Sequence, residues 1–200
     1  MSSAASWLVA IDLQTVFADP ASRWATPRFG EALAGTQALL PAFTGRTVHT
    51  RFVAPVAPAG AWAPYYRDWP FALVPESDPI YDLVLRPGDD PVLTATTFGK
   101  WGPELAGLLE NPTELVLTGV STDCCVLSTA LAAADAGVAV RVVTDACAGA
   151  SDADHQRALD AMALYAPLVT LTTVAEVLRT FLTPPASEDV ENATSAPSPV

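Results

Sequence analysis

The sequence predicts an α/β fold: a three-layer α-β-α sandwich around a six-stranded, parallel, doubly wound sheet. Two observations carry this. Six short, β-branched apolar runs recur along the chain, most of them continuous rather than alternating, as strands buried on both faces require. Helix-like stretches separate the runs, so strand and helix alternate as βαβ units with right-handed crossovers.

The first strand is read at SWLVAID (6–12) and the second at RTVHTRFV (46–53), with FGEALAGTQALLPAF (29–43) between them at near-helical apolar spacing. DPVLTA (90–95) is the third strand. GPELAGLLEN (102–111) follows as a helix, with Pro103 at a plausible first helical position. TELVLTGV (113–120) is the fourth strand. It leads into CCVLSTALAAADAG (124–137), rich in helix formers and ending on a glycine suited to the position after a helix. VAVRVVTDA (138–146), DADHQRALDAMALYA (152–166), PLVTLTT (167–173) and TVAEVLRTFL (173–182) supply the last two strands and two helices. Residues 54–91 break the rhythm with prolines and aromatics. They are too long for a plain connection and too aromatic for a linker, and read as an ordered insertion that walls a pocket. From Thr183 the periodicity stops, so residues 1–182 read as one domain and 183–200 as a flexible acidic tail.

Composition limits the partners. The net charge of −12 argues against nucleic acid, whose phosphates need clustered Lys and Arg. No apolar run reaches the roughly 18 residues of a membrane span. The opening MSSAASWLVAID lacks a basic segment and a cleavage pattern, which points to the cytoplasm. Three cysteines, two of them adjacent, do not form a disulfide framework.

Ligands of open parallel sheets bind beyond the carboxyl ends of the strands. The polar residues there are Asp12, His49 to Arg51, the TATTFGKW stretch, GVSTDCC and Asp145. Asp12 is either a cap or a general base in a poorly solvated cleft. Cys124 and Cys125 lie at a strand-to-helix turn, where backbone N–H groups favour a thiolate and can hold an oxyanion. Both could equally be small core residues of an Ala-rich helix.

Three stretches resemble the isochorismatase-like cysteine hydrolases, which include nicotinamidases and N-carbamoylsarcosine amidohydrolase. They are LVAIDLQTVF, LVLTGVSTDCCVLSTALAAADAG and VVTDACAGASDADHQRAL, and the likeness runs from Trp7 to Leu182. The resemblance implies the same six-stranded fold. It also implies Asp12 as catalytic acid–base and Cys125, six residues after Gly119, as nucleophile, with Cys124 turned away. The chemistry implied is attack on an amide-type carbonyl, an oxyanion held at the Val120, Ser121 and Cys125 turn, and hydrolysis of a thioester. A cis peptide at Val120–Ser121 and a dimer or tetramer are implied as well.

Two departures from the family pattern matter. The family lysine position reads as Ala95, leaving Lys100, five residues on, as the candidate cation, with Arg51 another. A catalytically impaired homologue that binds a small molecule or a partner is therefore the alternative to an active hydrolase. The metal-binding Asp-x-His stretch of nicotinamidases reads HTRFVAP, and the chain has only His49 and His155. No metal and no cofactor are expected, and nicotinamide is disfavoured. For the substrate pocket, Phe17, Trp62, Tyr65, Tyr66, Trp69 and Trp101 are the aromatic candidates, with Trp62 and Trp101 preferred, and Arg51 is placed with them as a substrate-binding residue. Cys147 reads as structural, and His155 as a helix cap or subunit contact.

Overall fold

The computed structural model describes residues 6–109 and 112–182; the expected tail lies outside them. β1 (Ser6–Ile11), β2 (Thr47–Phe52), β3 (Val92–Ala95), β4 (Glu114–Val120), β5 (Ala139–Ala148) and β6 (Val169–Thr172) form one sheet in the order β3-β2-β1-β4-β5-β6. Every neighbouring pair is parallel. The strand order reverses between β1 and β4, so the crevice of this sheet opens at the ends of those two strands. There the two strands approach so closely that a Cβ on Gly119 would lie 2.0 Å from the Ile11 carbonyl oxygen. Gly119 also has a φ of +109°, so only glycine meets both demands.

After the single turn α1 (Thr15–Ala18), helix α2 (Phe29–Leu39) runs into a 3₁₀ turn at Leu40–Phe43. Together with α7 (Val174–Leu182) it covers one face of the sheet, burying Leu8, Leu39, Phe43, Val116, Val143 and Val177. α4 (Pro103–Leu108), α5 (Leu127–Asp135) and α6 (Asp152–Ala163) cover the other face over Val9, Ile11, Leu105, Leu117, Ala130 and Met162. Each of the Val, Leu, Ile, Phe and Met side chains among these stabilises the fold by about 1.5–3 kcal/mol on leaving water. Among the described residues no helix is long and apolar enough to cross a membrane.

A third apolar cluster, including Leu13, Phe17, Phe29, Phe52, Tyr66 and Tyr81, closes the carboxyl end of the sheet. It is built largely by the insertion, which folds as α3 (Trp62–Asp68) and two 3₁₀ turns at Pro70–Ala72 and Pro79–Tyr81. Buried polar groups fasten it. The Tyr81 hydroxyl donates to the Ala72 carbonyl and accepts from the Ala54 N–H. The Gln14 side chain donates to the carbonyls of Phe52 (3.2 Å) and Tyr81 (3.0 Å) and accepts from the Phe52 N–H (2.7 Å). Arg51 donates to the carbonyls of Tyr81 (3.2 Å) and Glu76 (2.9 Å) and pairs with the Glu76 carboxylate.

β5 extends to Ala148 rather than ending at Ala146, with a register shift against β4 between Leu117 and Gly119. Asp145 is consequently not at the crevice. It is exposed, and its carboxylate accepts the Val174 N–H (2.8 Å) at the start of α7.

Candidate active site

Asp12 is the residue after β1, in the left-handed region at φ 49°, and is fully buried. An aspartate tolerates this backbone better than a branched residue would. Thr50, on the adjacent β2, donates its hydroxyl to Asp12 Oδ1 (2.6 Å) and accepts the Asp12 N–H (3.2 Å). Asp12 Oδ2 lies 2.9 Å from Lys100 Nζ, with both side chains 0% exposed.

Lys100 reaches this point from the loop after β3, and three contacts define its path. Its N–H donates to Thr129 Oγ1 (3.0 Å), and the Thr129 hydroxyl donates in turn to the Cys125 carbonyl (2.6 Å). Its ammonium donates to the Thr97 carbonyl (2.9 Å) and stands 5.1 Å from the centre of the Phe52 ring. Ala95, where the family pattern would put the lysine, pairs with Phe52 in the sheet instead.

The Val120–Ser121 peptide is cis. It leads into a π-helical turn, Thr122–Val126, that carries both adjacent cysteines before α5 begins at Leu127. The N–H groups of Cys124 and Val126 both donate to the Ser121 carbonyl. Two outside contacts hold the turn. Thr122 Oγ1 is 2.8 Å from His155 Nδ1 on α6, and the Asp123 carboxylate accepts the Ala150 N–H (2.9 Å). His155 therefore braces this turn from α6. Burial, and next Arg28, hold its pKa below the usual imidazole value.

Cys125 is buried, close enough to Asp12 and Lys100 for both charges to act on its thiol. Burial first and the Asp12 charge second push its pKa well above the ordinary thiol value, while Lys100 pulls it down. The resting pair is thus a neutral thiol against a carboxylate, not the free thiolate that a helix N-terminus alone would favour. Cys124 is half-buried, with its thiol 3.6 Å from the Asp123 carboxylate and its pKa pushed up to about 11, mainly by burial. It does not turn away from the crevice: the wider π turn brings successive side chains round to the same side.

Cys124 and Cys125 both line a cavity of about 390 Å³. Its walls are aromatic, formed by Phe17, Trp24, Phe52, Tyr65, Trp69 and Phe98, with Arg23 and Asp123 as its charged lining residues. Of the aromatic candidates read from the sequence, Phe17, Tyr65 and Trp69 line it. Trp62 stands behind that wall, 5.3 Å from the Tyr65 ring and 5.0 Å from the Phe98 ring. Tyr66 is buried in the insertion, and Trp101 packs on the core under the sheet. Arg51 lies elsewhere, on an open surface groove with Glu76, Asp82 and Val92. Cys147 is buried, its thiol donating to the Leu117 carbonyl.

Sequence reasoning passed over Trp24 and Thr129, and included Thr50 only within the stretch His49 to Arg51. Trp24 sits in DPASRWATPR, a stretch without strand or helix periodicity, where a lone tryptophan just past the first strand was the available signal. Among the described residues no group of three or more His, Cys, Asp or Glu side chains could hold a metal ion.

A family model described as the Isochorismatase domain matches residues 6–176. Among solved structures, a cysteine hydrolase from Pseudomonas syringae pv. phaseolicola superposes with a TM-score of 0.80 at 18% identity, covering 91% of this chain and 94% of that one. An N-carbamoylsarcosine amidase from Thermoplasma acidophilum gives 0.68 at 22%, covering 84% and 96%. A pyrazinamidase of Pyrococcus horikoshii, solved in complex with zinc, gives 0.69 at 20%, covering 84% and 99%. A curated isochorismatase domain-containing protein 2 from Xenopus laevis is 40% identical over 72 residues, a match spanning 34% of this chain and 35% of that protein.

Proposed function

The chain belongs to the isochorismatase family, and from that premise we propose that it is a metal-independent cysteine hydrolase that cleaves a C–N bond of a small amide. The observation that carries this is the meeting of Cys125 with the Asp12–Lys100 ion pair at the strand switch point. In this reading Asp12 takes the thiol proton as Cys125 Sγ adds to the carbonyl carbon. Lys100 offsets the carboxylate's opposition to the developing thiolate and fixes its orientation, helped by Thr50. The N–H groups of Ser121 and Cys125, at the cis turn after Val120, hold the oxyanion. Asp12 then returns the proton to the leaving amine, and water opens the thioester. Protein groups alone supply the proton transfers and charge stabilisation this cycle needs.

An impaired binding homologue was the alternative because position 95 is alanine. The 2.9 Å approach of Lys100 to Asp12 weighs against it. The fitting experiment is a screen of small amides for ammonia release, with Cys125→Ala as the blank and intact mass for the acyl-enzyme. Turnover and an acyl adduct in the wild type only support the reading; equal release by both proteins, or none from either across the library, overturns it. Assembly into dimers or tetramers and a cytoplasmic location remain part of the same proposal.

A further inference from the structure

We infer that His155 is a positioning residue: its neutral imidazole, acting through Thr122, holds the cysteine turn in place, and its protonation releases that hold. The effect on turnover rests on the hydrolase reading; the effect on the turn does not. Thr122 opens the π turn and is fully buried. Its hydroxyl lies 2.8 Å from His155 Nδ1, which is its one hydrogen-bond partner among the described residues. A buried hydroxyl needs an acceptor for its proton. The imidazole with its hydrogen on Nε2 supplies one at Nδ1.

The bond matters because of what Thr122 anchors. The Val126 N–H donates to the Ser121 carbonyl, and the Leu127 N–H donates to the Thr122 carbonyl. Cys125 sits inside the loop these bonds close, and Thr129 ties its carbonyl from the far side. Asp12 and Lys100 belong to other segments, after β1 and after β3. A shift of Thr122 therefore moves Cys125 against both of them. Neither Thr122 nor His155 lines the cavity, so the role is positioning rather than contact with a substrate. Close packing fixes His155 in turn. A Cβ on Gly149, just after β5, would lie 2.7 Å from the His155 backbone N and 2.8 Å from the Asp123 carboxylate.

Protons act on this hold. The charged groups that act on His155 are Arg28 at the entry to α2, Asp123 on the turn and Asp152 on its own helix. Arg28 also stands 3.8 Å from Asp152. Burial first, and then Arg28, favour the neutral ring. Protonation puts a hydrogen on Nδ1, aimed at Thr122 Oγ1. The Thr122 proton must then turn to a buried place without an acceptor, and an imidazolium stands near Arg28. Both effects oppose the contact between the turn and α6.

The test uses the full chain and iodoacetamide. Imidazole resonances in NMR give the His155 pKa, with His155→Asn separating its signal from that of His49. Thr122→Val should raise this pKa, because the hydroxyl that favours the neutral ring is gone. An unmoved pKa overturns the inference. Asparagine keeps an acceptor near the Nδ1 position and does not titrate. At about pH 7, His155→Ala should alkylate Cys125 at least about tenfold more slowly than the wild type, and His155→Asn should stay within about threefold of it. As pH falls to about 5, the wild-type rate should drop about tenfold further than the His155→Asn rate. On any amide that is turned over, the same step should appear in kcat and not in KM. Should His155→Ala fail to fold, the Thr122→Val and His155→Asn arms decide. Alkylation of His155→Ala at the wild-type rate or faster, or a full acid limb in His155→Asn, overturns the positioning role. The expected alkylation pattern without turnover of any amide leaves that role standing and sinks the hydrolase. Amide turnover without a His155 step leaves the hydrolase and sinks the role.

Discussion

Lys100→Met probes the charge arrangement under Cys125 directly. The ion pair of Lys100 and Asp12 is 2.9 Å long, with neither side chain exposed. Removing one partner of a buried pair costs about 3–5 kcal/mol, because a charge is left behind without water or counter-ion. Thr50 and the Cys125 thiol still face Asp12, so the lower half of that range, about 3–4 kcal/mol, is expected. At about 2–4 °C per kcal/mol for a chain of this size, Tm should fall by roughly 6–16 °C. Asp12→Asn combined with Lys100→Met removes both charges, and its stability should return to within about 1 kcal/mol of the wild type. Catalysis should not return with it. Lys100 is the group that lowers the Cys125 pKa, so the single variant should lose about 100-fold or more in kcat on any amide substrate. Urea unfolding of the four proteins of the cycle and steady-state kinetics give both readouts. A Lys100→Met protein within about 1 kcal/mol of the wild type would refute the reasoning, since a buried carboxylate cannot lose its cation so cheaply.

Thr50→Val should cost about 1.5–3 kcal/mol, the loss of a hydrogen bond to a buried charge, and should lower kcat more than it raises KM; an unchanged kcat would separate Asp12 orientation from catalysis. Gly119→Ala puts a Cβ 2.0 Å from the Ile11 carbonyl oxygen at a φ of +109°, so soluble yield should collapse; a folded variant with wild-type Tm would contradict the close approach of β1 and β4. Stability should fall at both pH extremes. The folded pKa values of His49 and His155 lie below the ordinary 6.5, so their contribution is complete above pH 6.5 and is lost as pH falls below it. The three thiols are raised from 9.0, Cys124 to about 11, so theirs is complete below pH 9 and is lost as pH rises through and beyond 11. Urea midpoints from pH 5 to 11 check this, and a flat alkaline limb would show that the thiols ionise as freely folded as unfolded.

The sheet was legible because parallel strands buried on both faces must be apolar along their whole length, and the six runs differ from the observed strands by no more than two residues at any end. That Asp12 and the cysteine pair meet at the crevice was legible for a related reason: the switch point lies at the ends of two such runs, whereas the choice of Cys125 over Cys124 came from the resemblance alone. What escaped depended on contacts between distant parts of the chain. Whether Arg51 faced the crevice turned on where residues 76–82 would fold, and they fold back onto its guanidinium. The orientation of Cys124 depended on a π turn in place of an α-helical one, a choice of hydrogen-bond register that composition does not record. Trp62 and Trp69 are both tryptophans at the ends of α3, and only packing sets Trp69 on the cavity and Trp62 behind it.

Lys100 shows how a cation five residues past the family position can still reach Asp12. A lysine at position 95 would lie within β3, paired opposite Phe52. Five residues later the chain has left the sheet and passes over the start of α5, where Thr129 ties the Lys100 N–H to the Cys125 carbonyl. That tie puts the lysine backbone in register with the cysteine turn rather than with the sheet edge, and the flexible side chain covers the remaining distance to Asp12. Thr129→Val is therefore expected to weaken Lys100 as a cation without touching its charge. It should cost about 1 kcal/mol of stability for the buried hydrogen bonds, with a kcat loss smaller than that of Lys100→Met and a pH–rate profile displaced to higher pH. If the profile of Thr129→Val keeps the wild-type position while kcat falls, the threonine acts on the Cys125 backbone alone, and the lysine finds Asp12 without it.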